Sequence, residues 1–97
     1  MNLGKAIKIL LEKKGMTQKK LAAETNLSPT SISLLMKGHT MPRKETLELV
    51  AKALEVKPEF LLLLSLSKDD VPDNKRELYD LVWPQIETTF VNLFVKS

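Results

Sequence analysis

Thr17-Gln18-Lys19-Lys20-Leu21-Ala22-Ala23-Glu24-Thr25-Asn26-Leu27-Ser28-Pro29-Thr30-Ser31-Ile32-Ser33-Leu34-Leu35-Met36-Lys37-Gly38 is the stretch that decides how this chain is read. Thr17 has the side chain to cap a helix that starts at Gln18 and runs to about Thr25, with Leu21 and Ala22 as its apolar positions. Asn26 is the non-glycine residue that most readily takes a left-handed backbone, so Asn26-Leu27 reads as a tight turn. Ser28-Pro29 then starts another helix, because the Ser hydroxyl can accept from a free N–H of the first turn and Pro loses no bond at the first helical position. That helix is expected to run to about Lys37 and stop at Gly38.

Working outward, Leu3, Ala6, Ile7, Leu10 and Leu11 recur at helical spacing before Gly15, with Lys5, Lys8, Lys13 and Lys14 between them. Leu47, Val50, Ala51 and Leu54 share one face of a fourth helix, from about Arg43 to Leu54, whose start lacks a good cap. Val56-Lys57-Pro58 opens a fifth helix carrying the run Phe60 to Leu64, which must be largely buried. Residues 1–65 thus form one unit and residues 66–74, polar and acidic with Pro72, read as a linker. Residues 75–97 read as a further helix, with Leu78, Val82, Ile86 and Phe90 spaced by four and Tyr79, Trp83 and Phe94 beside them. Pro84 is expected to kink or divide it. The fold class is all-α: five helices and an additional C-terminal one.

The bulk numbers narrow the function. With 97 residues, 43% of them hydrophobic and 28% charged, the chain can build one small core. It has no cysteine, so disulfides, thiolate metal sites and cysteine nucleophiles are excluded, and the cytoplasm is the expected location. The N-terminus leads into a charged amphipathic stretch rather than a secretory signal, and Phe60 to Leu64 is a quarter of the roughly 20 residues a membrane span needs. His39 is the only histidine and has no second ligand of its kind, and Asp69-Asp70 sit in a polar stretch without a catalytic partner. No enzyme, cofactor, metal or small-molecule substrate is expected. Charge is uneven: residues 1–44 hold nine Lys or Arg against two Glu, and residues 45–97 six basic against ten acidic. The basic half is where a polyanion would sit.

Helix, sharp turn and helix between Gln18 and Lys37 have the spacing of a helix-turn-helix, whose first helix braces the DNA backbone and whose second enters the major groove. Ala22 is small where the two helices cross, Leu27 seals the turn, and Ile32 and Leu35 anchor the inner face. Pro29, Thr30, Ser33, Leu34 and Lys37 are left on the outer face. The run Gly15-Met16-Thr17-Gln18-Lys19-Lys20-Leu21-Ala22-Ala23, with Leu27-Ser28, Ile32-Ser33, Lys37-Gly38, Pro42 and Glu45-Thr46-Leu47 to Leu54-Glu55-Val56, resembles the lambdoid phage repressor and Cro family, also called the xenobiotic-response-element type.

The resemblance spans residues 3 to about 64 and implies double-stranded DNA as partner, a homodimer and transcriptional repression at a palindromic operator. It implies that Gln18 contacts phosphate, with Thr17 and Lys19 beside it, and that Pro29, Thr30, Ser33 and Leu34 meet base edges next to the cap Ser28. Lys37, His39 and Arg43 follow the recognition helix, where phosphates would lie. Members often carry Arg, Gln or another long polar residue where this chain has Pro29 and Leu34, and Glu where it has Met36. Base reading is therefore expected to rest on the Thr and Ser hydroxyls, on thymine-methyl contacts and on DNA shape. The alternative is a protein-interaction module, such as an antitoxin, with DNA binding secondary. Residues 75–97 carry too many large apolar groups to rest on a closed small domain and are expected to pair with a second copy; the alternative is that they fold back over the first and fifth helices.

Overall fold

The structure, a computed structural model, describes residues 1–38 and 41–95. Among these it is helical throughout: α1 (Leu3–Lys14), α2 (Gln18–Thr25), α3 (Pro29–Lys37), α4 (Lys44–Ala53), α5 (Pro58–Leu64) and α6 (Arg76–Phe94), without a strand. Local chemistry sets the boundaries. Asn2 Oδ1 accepts from the Lys5 amide at 3.0 Å and starts α1, and Gly15 ends it in the left-handed region with φ 63°. Thr17 caps α2 through the Lys20 amide at 3.1 Å, Asn26 turns the chain at φ 60°, and Ser28 caps α3 through the Ser31 amide at 3.0 Å. Arg43 precedes α4 without a side-chain cap, as the sequence suggests.

One core joins all five of the first helices. Leu3, Ala6, Ile7 and Leu10 of α1, Leu21 of α2, Ile32 of α3, Val50 and Ala51 of α4 and Leu61 and Leu64 of α5 are at most 2% exposed. Of the run from Phe60 to Leu64, only Leu61 and Leu64 are fully buried, because a helix can turn just one face inward. Gly4 is buried where α1 crosses α3: a Cβ there would stand 2.7 Å from the Met36 carbonyl carbon and 3.0 Å from the Leu35 carbonyl oxygen, and would collide with the Met36 oxygen. No side chain fits. A second feature without a sequence signal is Glu55, which takes the left-handed region (φ 59°) between α4 and α5 and pairs with Lys14 at 3.0 Å.

The stretch expected to be a linker is built of two 3-10 turns, Lys68–Asp70 and Asp73–Lys75. The Asp70 carboxylate holds the first by accepting from the Ser67 amide at 2.8 Å and from the Met1 ammonium at 2.9 Å. That ammonium, then the Ser67 amide, keep the Asp70 carboxyl below its usual range. A depressed carboxyl stabilises the folded state above its unfolded value and ceases to do so as pH falls through the folded one. Acid titration followed at Asp70 by NMR is expected to show a midpoint below that of an ordinary Asp, and a midpoint at or above it would remove the ammonium contact.

α6 lies back on its own chain and runs undivided through Pro84. Pro84 and Asp80 are both exposed, so the proline, which gives no donor to the Asp80 carbonyl, stands on the solvent side of the helix. The inward face is Tyr79, Trp83, Glu87, Phe90, Val91 and Val95 rather than the stripe from Leu78 through Val82 and Ile86. Polar contacts choose that rotation. Lys5 Nζ stands 3.4 Å from Glu87 and 5.9 Å from the centre of the Trp83 ring, Lys13 donates to Asn92 at 3.2 Å, and Tyr79 donates to the Leu66 carbonyl at 3.4 Å. Phe94 meets the edge of Phe60 at 5.7 Å, tying α6 to α5.

Candidate nucleic-acid interface

α2 and α3 make a rigid pair because their joint is filled. Ala22, 8% exposed, lets the helices approach, and half-buried Leu27 closes the turn. Thr25, also buried, donates its hydroxyl to the Leu21 carbonyl at 2.8 Å and accepts from the Leu27 amide at 3.3 Å, so one side chain ties the end of α2 to the turn. Sequence reasoning passed over Thr25, since nothing local distinguishes it from a surface Thr. Ile32 and Leu35 hold the inner face of α3.

The outer face of α3 is thereby fixed. Pro29, Thr30, Ser33, Leu34 and Lys37 lie on one exposed arc, and Leu34 keeps 57% of its surface open. No hydrogen bond or ion pair engages the Thr30, Ser33 or Lys37 side chains among the described residues. Ser28 differs: its hydroxyl accepts from the Ser31 amide and donates to Ser31 Oγ at 3.0 Å, so capping occupies it. Thr17 is likewise committed to its cap. Gln18 and Lys19 are exposed on the first turn of α2 and share a shallow depression with Pro29 of α3. Arg43 is exposed at the start of α4, and His39 lies outside the described residues.

The structure brings one more cation to this side. Lys8 of α1 is exposed and lines a depression with Thr17, Gln18 and Met36, beside the start of α2. The sequence placed it only on the polar face of α1, because periodicity does not say which neighbour that face meets. Lys5 with Glu87, Lys68 with Asp80 (2.7 Å) and Arg76 with Asp73 (2.9 Å) are paired around α6, whereas Lys8, Lys19, Lys20, Lys37 and Arg43 have no acidic partner among the described residues, as holds also for Lys13, Lys52, Lys57 and Lys75 elsewhere on the surface. Lys19 and Lys20 lie on α2, Lys37 ends α3, Arg43 precedes α4, and Lys8 stands beside the start of α2.

A helix-turn-helix family model matches residues 7–61, more than half of the chain, from within α1 into α5. The chain belongs to the helix-turn-helix family. This helix-turn-helix protein is a DNA-binding transcription regulator. The match contains α2, α3 and α4 whole and leaves α6 outside. No curated protein and no solved structure matches the chain. No helix among the described residues is long and apolar enough to cross a membrane.

Proposed function

We propose that the protein is a repressor that binds a palindromic operator as a dimer, each copy setting α3 in the major groove and the start of α2 on the phosphate backbone. The observation that carries this reading is the free outer face of α3: two hydroxyls, one large exposed aliphatic group and one lysine, none used by the protein's own fold. Thr30 and Ser33 can donate to or accept from either purine or pyrimidine edges, and Leu34 and Pro29 suit the thymine methyl. Gln18, Lys19, Lys8, Lys37 and Arg43 frame that face with phosphate donors. Repression follows from occupancy, since a dimer on a promoter blocks the polymerase.

Selection of bound duplexes from a random pool tests the reading. It is expected to enrich a palindrome with half-sites about one helical turn, roughly 34 Å, apart, and a pool that stays random would overturn it. Thr30→Ala and Ser33→Ala should change which sequences are preferred, at about 1–3 kcal/mol per lost base contact, whereas Lys37→Ala should weaken all sequences alike. Binding of each variant to the enriched site and to its single-base variants separates the two classes. Equal, uniform losses from all three would remove the base-reading role from this face.

A further inference from the structure

α6 uses one face to dock on α1 and α5 and leaves the opposite one bare. Leu78, Leu81, Val82, Ile86 and Leu93 stand on that outer face with 38% to 69% of their surfaces exposed. Gln85, Thr89 and Asn92 lie among them, so no charged side chain interrupts the stripe, and Glu77 borders it beside Leu78 and Leu81. Together these side chains open on the order of 500 Å² of apolar surface, the upper range for the largest patch of a monomer.

We propose that this outer face of α6 is the surface on which a second copy of the chain docks, helix against helix and antiparallel about a two-fold axis beside Gln85 and Ile86. The proposal deepens the dimeric DNA-binding reading by naming its interface. Two observations select a second copy as occupant. Pairing two such stripes buries on the order of 1,000 Å², the area at which a specific interface becomes sustainable. A two-fold axis sets the same patch against itself, which an uncharged stripe tolerates and a charged one does not. Centring the axis between Gln85 and Ile86 sets Leu78 opposite Leu93 of the partner subunit, and Val82 opposite Thr89 of the partner subunit. Because α6 is pinned to α1 and α1 crosses α3 at Gly4, the axis fixes the spacing of the two α3 helices.

Sedimentation of the intact protein is expected to give a dimer at micromolar concentration, and Leu81→Asp a folded monomer with the same helical content and a melting temperature that no longer rises with protein concentration, since Leu81 is exposed and supports no core. The chain holds no cysteine, so single substitutions read the geometry directly. Ile86→Cys beside the axis should form a covalent dimer on mild oxidation, and Leu78→Cys should not. A monomeric intact protein, a Leu81→Asp variant that remains dimeric, or equal cross-linking at both positions overturns the proposal. In DNA binding, Leu81→Asp should lose about a hundredfold in affinity for the full palindrome while its half-site affinity holds. A dimer that enriches no DNA sequence would sink the operator reading and leave this interface standing.

Discussion

Raising the salt from 50 to 200 mM is expected to lower the affinity of the protein for the proposed operator about a thousandfold. Each phosphate neutralised by a lysine or arginine releases condensed counterions and contributes about 0.9 to the slope of log affinity against log salt. The proposed dimer, touching about three phosphates per copy, therefore has a slope near −5, and a fourfold change in salt raised to that power gives the thousandfold loss. The candidates for those contacts are the exposed and unmatched Lys8, Lys19, Lys20, Lys37 and Arg43. Their lack of acidic partners matters, because a cation already paired within the protein releases fewer ions on binding. The cations around α6 are a built-in control: Lys68→Gln breaks an exposed pair with Asp80 and should leave the slope unchanged, whereas Lys37→Gln should reduce it by about 1 per copy. Titration of a labelled operator across the salt range supplies the slope. A flat dependence would mean that these cations do not meet phosphate.

What the sequence made legible was whatever a few neighbouring residues decide. Thr17, Asn26, Ser28-Pro29, Gly15 and Gly38 act through their own backbone and the next turn, so the ends of α1, α2 and α3 could be read without knowing what they pack on. The outer face of α3 followed, because once Ile32 and Leu35 point inward the remaining positions point out. Lys8 was hidden for the converse reason: its place beside Thr17 and Gln18 depends on how α1 crosses the pair, which no local pattern records.

The rotation of α6 was hidden by a surplus of apolar residues. Tyr79, Trp83 and Phe90 on one side and Leu78, Val82 and Ile86 on the other both satisfy a helical period, so periodicity could not choose between them. Lys5 and the Leu66 carbonyl favour the observed choice, by offering polar partners to Glu87 and Tyr79 when the aromatic face is inward. A stripe that looks like core in the sequence is therefore left facing water.

Gly4→Ala is expected to destabilise the protein by about 2 kcal/mol, the opposite of what that substitution does in most helices. In an open helix, Ala in place of Gly gains up to about 1 kcal/mol, because glycine loses more backbone freedom on folding. At Gly4 that gain is opposed by the Met36 carbonyl, which occupies the space a Cβ needs. A backbone group of α3 cannot rotate away as a side-chain tip can, so one helix must move, and overpacking of this kind costs about 1–3 kcal/mol. For a domain of this size the net loss corresponds to a fall in melting temperature of roughly 10 °C. Gly15→Ala is the matched comparison. It meets no atom within 4 Å but is held at φ 63°, so it bears only the backbone cost of about 1–2 kcal/mol and leaves the placement of α3 intact. Both variants lose stability, then, but only one displaces the helix proposed to read the bases. Gly4→Ala should weaken discrimination between the operator and its single-base variants even at temperatures where it is fully folded, and Gly15→Ala should not. A Gly4→Ala protein as stable and as selective as the parent would show that α1 and α3 do not meet this closely.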